Sequence, residues 1–481
     1  MTVIVQQPTD SNGNPQPMVY DSDTGKVIVD SNGFIVSGGQ KLVNIPSKAD
    51  YVSTAKTQTA GIQEAIAYKL SEGGGTIIIK NGVYTVSAPI QWSNQEYAIQ
   101  IIGENTITGF AVPGSYYPAV SLTPTSAFPV SSYMFEVNKG EVVKDQQTFS
   151  IKNLSINCSP NNGTATGIAG ALYIENAYKV EISNCRIVNS STNGILYISS
   201  NGTAGDTLHV VNCLFASNNG YDINSACPLA YFLHNHHYNS GNSSALLTSG
   251  AYYLSQDSTA YINGAILDTL NGAGIITNIP AGTLIIDDVY TFSSIPGPFI
   301  EGTVQQLYIS NSEVPSAYSF NIGISSESTI ISNCILTNAA TSTTGLDYYI
   351  YNSHYPSYTG ISNCIFQPNS NGLTPSENYI EFTGEDTAII QVSNILGLPF
   401  PSTPSVPASG TAQENTNPYP VDVYIYGGDV TEIQITRNGT AYTVLSVSTA
   451  IAMSGQAYKL NPGDSITITY STAPSWEWLS D

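Results

Sequence analysis

Apolar and polar positions alternate along this chain in short runs, and the runs keep returning to one phrase: apolar, any residue, Asn, Cys, any residue, apolar. It reads Ile182-Ser183-Asn184-Cys185-Arg186-Ile187, Val210-Val211-Asn212-Cys213-Leu214-Phe215, Ile331-Ser332-Asn333-Cys334-Ile335-Leu336 and Ile361-Ser362-Asn363-Cys364-Ile365-Phe366. In a strand, residues i and i+2 share a side. Ile182, Cys185 and Ile187 can share one only if the chain bends at Asn184 and shifts phase by one. Asn is the non-glycine residue best suited to a single left-handed position. The phrase therefore predicts strand, one-residue bend, strand, with the thiols turned into an apolar interior.

Looser copies run from Ile151 to Ile156 and from Ile309 to Val314, and weaker ones from Tyr261 to Ile266 and from Ile285 to Tyr290. The expected bends are then 153, 184, 212, 263, 287, 311, 333 and 363. The long interval from 212 to 263 reads as two coils with one unrecognised bend. Repeats of this length, with short strands and no helix between them, predict a single-stranded solenoid, a parallel β-helix. At about 4.8 Å per coil, the stretch from 75 to 396 holds roughly a dozen coils in a rod of roughly 60 Å.

Before the first coil, Ile62, Ala65, Ile66 and Leu70 repeat at helical spacing, with Thr59 placed to cap and Gly73-Gly74-Gly75 to stop the helix. Such a helix would cover the open end of a solenoid. Residues 1–45 read as an N-terminal arm, 46–398 as cap helix and β-helix, 399–420 as a Pro-rich linker, and 421–481 as a small β-sandwich with turns at Arg437-Asn438-Gly439 and Asn461-Pro462-Gly463.

The helix, the run Gly73-Gly74-Gly75-Thr76-Ile77-Ile78-Ile79, the turn Asn81-Gly82-Val83-Tyr84 and the Asn-Cys coils together resemble the pectate-lyase-like superfamily of right-handed parallel β-helices over about 46–396. Lys80 stands where many members carry Pro. The resemblance implies an all-β, right-handed fold and says little of activity, because the superfamily includes lyases, hydrolases, epimerases and phage tailspikes. The terminal module resembles C-terminal modules on structural proteins of viruses of thermoacidophilic archaea.

Charged residues make up only 10% of the 481, with 35 acids against 13 bases and a net charge of −22. A surface so poor in charge suits an acidic medium, where carboxylates with reference pKa of about 4 are protonated; it equally suits a solenoid built from Asn, Ser and Thr. Acidity argues against nucleic acid as a partner. No apolar run is long enough for a membrane span, and the first fifteen residues lack the pattern of a signal peptide. The four repeat cysteines are expected to be buried reduced thiols.

Among residues that could carry chemistry, Asp288, Glu301 and Glu313 are candidate carboxyls for glycoside hydrolysis. Asp287 falls on an expected bend, which leaves Asp288 in the inward slot. Arg186 is expected to point outward in a thin basic patch with Lys152. His234-Asn235-His236-His237 reads as an exposed loop, and no metal site or cofactor is expected. Tyr348, Tyr349, Tyr351, His354 and Tyr355, with Tyr231, His236, Tyr238, Tyr252 and Tyr253 of the insert between 212 and 263, are candidates for one face that binds glycan or receptor. Asn162, Asn201 and Asn242 are candidate glycosylation sites. These readings favour an attachment protein of a virion surface, extracellular, with host glycan or receptor and other virion proteins as partners and a homotrimer as one possible state. The alternatives are a tailspike-like glycosidase or lyase, and a structural cell-surface protein.

Overall fold

The computed structural model describes residues 2–6, 18–21, 27–29, 35–37, 40–43, 58–79, 81–93, 97–104, 118–138, 148–160, 167–199, 206–256, 259–292, 295–316, 318, 320–338, 348–352, 358–367, 380–382, 389–393, 403–417, 420–437, 439–461 and 463–480. It is a right-handed parallel β-helix followed by an antiparallel sheet.

Each full coil contributes three strands to three faces. On the first face, eleven successive parallel pairings join twelve strands in register, from Gly75–Ile79 to Ile389–Ser393. The bend follows directly. The third face then stacks in blocks of eight and three strands, from Gly82–Val86 to Tyr290–Thr291 and from Glu313–Ser316 to Ile365–Gln367. The second face runs from Ile90–Trp92 to Ile380–Phe382 and leads back to the first.

The bend row is the strongest outcome of the sequence pattern. Asn153, Asn184, Asn212, Asn311, Asn333 and Asn363 all have φ between 50° and 60°. Each donates its backbone N–H to the carbonyl just before the next bend, for example Asn184 to Val211 at 3.0 Å and Asn333 to Ser362 at 3.0 Å. Side chains bridge the same row, with Asn184 Nδ2 donating to Asn153 Oδ1 and Asn333 Nδ2 to Asn311 Oδ1, both at 3.2 Å. The missing bend between 212 and 263 is His234, with φ 55°.

Two expected bends move by one residue. The left-handed positions are Gly264 and Asp288, not Asn263 and Asp287. Asp288 is therefore exposed at the corner, and Val289 takes the inward slot. The physical reason is desolvation: an inward carboxylate there would be buried without the water it needs. Asp287 ends its strand and accepts from Ser310 Oγ (2.7 Å), Asn311 Nδ2 (2.8 Å) and Asn263 Nδ2 (3.1 Å).

Just past the bend, the inward slot holds Leu154, Cys185, Cys213, Asn235, Ala265, Val289, Ser312, Cys334 and Cys364, all buried. All six cysteines are free and buried. Each repeat thiol donates to the carbonyl two residues back, as Cys185 does to Ser183 at 3.3 Å and Cys334 to Ser332 at 3.2 Å. Asn235 fits the same slot because its amide is paired on both sides, donating to Val210 O and accepting from Cys213 N–H. This satisfies the rule that buried polar groups are bonded.

The helix is Ile62–Ser71, with Ile62, Ala65 and Ile66 fully buried. Gly61 at φ 80° starts it, and Thr59 provides no side-chain cap; its hydroxyl instead reaches Glu64 Oε2. Gly74 N–H closes the helix on Lys69 O at 2.8 Å. In the N-terminal arm, Thr2–Gln6 adds a parallel strand to Gly75–Ile79, followed by antiparallel strands out to Gln40–Val43.

The C-terminal module is one antiparallel sheet of five strands. Its strand Val421–Arg437 pairs first with Ser475–Ser480 and then, beyond Gly427-Gly428 in the left-handed region, with Ser465–Thr472. Several residues of the expected linker are bonded to this sheet: Trp476 Nε1 donates to Pro404 O (2.7 Å), Tyr470 Oη donates to Pro407 O (2.6 Å), and Ala412–Glu414 pairs with Ser465–Thr467.

Candidate functional site

Strand alternation on the second face turns every other residue outward, and stacking brings these residues into columns. The main column reads Gln91, Glu136, Tyr173, Leu196, Asn224, Tyr253, Ile276, Glu301, Gly323 and Tyr351 from the helix end onward. Tyr221 begins one strand of this face, and its ring lies 5.2 Å from that of Tyr253. Tyr133 and Tyr173 form a second tilted pair at 5.7 Å. Tyr173 Oη donates to Glu175 Oε2 at 3.0 Å, and burial first, then that bond, push its phenol up to about 12.

Glu301 is half-buried, and its Oε2 is buried with no hydrogen-bond partner among the described residues. Burial raises its pKa. In the next coil the column holds Gly323, which places no side chain of its own beside Glu301. A desolvated carboxyl beside paired tyrosine rings is equipped to exchange hydrogen bonds with a hydroxyl-rich ligand.

The three candidate carboxyls do not come together on one face. Asp288 sits at the corner after the first face, Glu301 on the second, and Glu313 on the third, where its N–H bonds Val289 O. Glu313 also has a raised pKa, from burial opposed by bonds to Thr291.

The tyrosine candidates separate by alternation. Tyr349 points inward, fully buried, packed on Phe366 at 5.0 Å and donating to Gln367 O at 2.9 Å. Tyr351 stands half-buried in the second-face column, and Tyr348 opens the same strand. His354 and Tyr355 lie outside the described residues, as do Asn162 and Asn201. Asn242 is part-exposed in a turn, with its Oδ1 accepting from Ser244 N–H.

The insert between 212 and 263 is not a loop but a further coil. Tyr231 belongs to the outer side of the first face, stacked between His209 (4.7 Å) and Tyr261 (4.9 Å). The histidine run is split by the coil itself: His234 makes the bend, His236 faces out on the third face, and His237 faces in. His236 Nε2 lies 3.7 Å from Asp268 Oδ2. Tyr252 also points inward and is fully buried. Among the described residues, no three His, Cys, Asp or Glu side chains are grouped to hold a metal. Arg186, on the third face, is part-exposed.

The reading from sequence missed Tyr133, Tyr173 and Tyr221. Tyr173 lies in the outward phase of its strand, but Tyr133 and Tyr221 stand at strand starts, two residues before the buried Phe135 and Ile223, and no Asn-Cys marker fixes the phase of this face.

No family model and no curated protein matches this chain. It is similar to solved structures at low identity. One is the catalytic domain of a GH87 alpha-1,3-glucanase in complex with nigerose, at 11% identity over 68% of this chain and 67% of that one, with a TM-score of 0.40. Another is the Azotobacter vinelandii mannuronan C-5 epimerase AlgE4 A-module, at 10% identity over 70% and 91%, with a TM-score of 0.40. A third is the enzymatically active domain of bacteriophage CBA120 tailspike protein 2, at 12% identity over 99% and 80%, with a TM-score of 0.39. The β-helix itself is established by the strand pairing of this chain. No helix among the described residues is long and apolar enough to cross a membrane.

Proposed function

We propose that this chain is an extracellular or virion-surface recognition protein that binds an extended glycan along the second face of its β-helix. The observation that carries the reading is the buried Oε2 of Glu301, without a hydrogen-bond partner among the described residues, in a column that also holds Tyr253 and Tyr351. A buried acceptor without a partner is rare in a folded protein and is explained when a ligand completes it. Tyrosine supplies a flat apolar surface for a sugar ring and a hydroxyl at its edge. The column extends along the rod, as a polymer would. Partners in this reading are a host-surface glycan and neighbouring virion proteins, and recognition needs neither metal nor cofactor.

Degradation of the same glycan would need a second carboxyl within about 5–9.5 Å of the first. The coils on either side of Glu301 present Ile276 and Gly323 in its column, which favours binding over cleavage. The test is binding of the purified chain to host-surface polysaccharide, with reducing ends measured in the same tubes. Glu301→Gln and Tyr253→Ala should each weaken binding about tenfold, and no reducing ends should appear. Unchanged binding in both variants would refute the site.

A further inference from the structure

The third face carries exposed rings that the glycan reading does not use. One of its columns runs Ala216, Tyr238 and Asp268, and Phe292 continues it, with its N–H bonding Leu267 O. Tyr238 is 46% exposed and Phe292 61%, an unusual state for rings on a packed rod. Asp268 lies between them, one coil from each. Beside Phe292 stands Tyr290, edge-to-face at 4.9 Å and 51% exposed.

The carboxylate is held rather than free. Thr269 Oγ1 donates to Asp268 Oδ1 at 2.6 Å, and Oδ2 faces His236 at 3.7 Å. Tyr238 and Phe292 are two coil steps apart, about 9.6 Å. Glu313 adds a second acid on the same face. The six strands from His236–Tyr238 to Ile365–Gln367 contain no Lys or Arg. The chain as a whole carries −22.

We propose that Tyr238, Asp268 and Phe292 form a binding site for a quaternary ammonium group. Ring faces attract cations through their quadrupoles, and a carboxylate between them supplies the counter-charge. The strands of this face from His236–Tyr238 onward carry acids and no Lys or Arg, so the charge of the face favours a cation over a neutral sugar. The site stands apart from the Glu301 column and does not depend on it.

The experiment is titration of the full chain with choline, read by tyrosine fluorescence and by ligand-observed NMR, against the neutral isostere 3,3-dimethyl-1-butanol. Choline should bind saturably and the isostere about tenfold more weakly. Asp268→Asn and Phe292→Ala should each weaken choline binding about tenfold, with their circular dichroism spectra unchanged because both side chains lie at the surface. Glu301→Gln should bind choline as the parent does, so failure here is distinguishable from failure of the glycan reading. Co-sedimentation with phosphatidylcholine vesicles, lost in Phe292→Ala, would identify a lipid headgroup as the source; saturation by free choline alone would identify a soluble amine. Equal binding of the neutral isostere, or no loss in Asp268→Asn, overturns the proposal. So does self-association that Phe292→Ala abolishes and choline does not touch, which would assign the rings to a contact between copies.

Discussion

The interior of the central coils contains a buried polar network that the apolar repeat does not require, and His237→Phe probes it directly. His237 Nδ1 lies 2.8 Å from Asp222 Oδ2, and its Nε2 lies 2.7 Å from Tyr252 Oη. Asn218 Nδ2 donates to the other carboxylate oxygen at 2.6 Å. Asp222 and His237 are fully buried, and the imidazole stacks flat on Phe215 at 5.1 Å with a 6° interplanar angle. Phenylalanine keeps that stack and leaves no sizeable cavity, so the change isolates the two nitrogens. It removes one charge-assisted bond from a buried carboxylate and one bond from a buried hydroxyl. The first loss is about 1.5–3 kcal/mol and the second about 1–2, in line with the roughly 3–5 kcal/mol for breaking a buried ion pair. Urea unfolding followed by circular dichroism at neutral pH should show that loss, and hydrogen exchange should place it in coils 221–255 rather than along the whole rod. Asp222→Asn/His237→Phe should cost less than the sum of its single changes. A loss below about 1 kcal/mol for His237→Phe would show that ring stacking, not the polar network, is what matters there.

Other outcomes follow from the bend, the thiols and Glu301. Asn184→Ala should cost about 1–2 kcal/mol, because alanine resists the left-handed position and the bond to Asn153 is lost, whereas Asn184→Gly should cost less; thermal unfolding of the pair checks the order. The thiols should stay unreactive toward a disulfide reagent at pH 8 until the chain is denatured, when all six react; burial pushes Cys227 up to about 12 and Cys158 higher still. Fast labelling of the folded protein would contradict the interior slot. The pKa of Glu301 is raised by burial, so the folded state holds this proton more tightly than the unfolded one. Its contribution to stability is then fully present below the unfolded value of about 4.3 and is lost as pH rises through the folded value. Glu301→Gln should therefore raise the melting temperature at pH 7 and leave it unchanged at pH 3.5.

The sequence declared its fold wherever a bend needed a left-handed residue, because few side chains tolerate that position and Asn recurs there. The same logic explains the errors. At Asp287-Asp288 and Asn263-Gly264 both members of the pair suit the bend; the cost of burying Asp288 in place of Val289 decides the first, and the ease of glycine in the left-handed region decides the second, leaving Ala265 inside. His234 escaped notice because His is an uncommon bend residue, and with it went the phase of the whole coil, so His237 and Tyr252 were expected outside when they are inside. The candidate face was less legible for a general reason. A column such as Tyr253, Ile276, Glu301, Gly323 and Tyr351 gathers residues from separate coils, and its members become neighbours only once every register is known.

The bend row also governs how this molecule can change length. Asn311 and Asn333 are 22 residues apart and Asn153 and Asn184 are 31, yet the row is continuous through both. Extra sequence is admitted at the other corners without disturbing what is stacked above or below. A deletion of one residue beside a bend is a different event: it exchanges inside for outside along a strand. Evolution or an engineer can therefore decorate the other two corners with new segments, while the bend corner must keep its single left-handed residue in every coil, whether Asn, His, Gly or Asp.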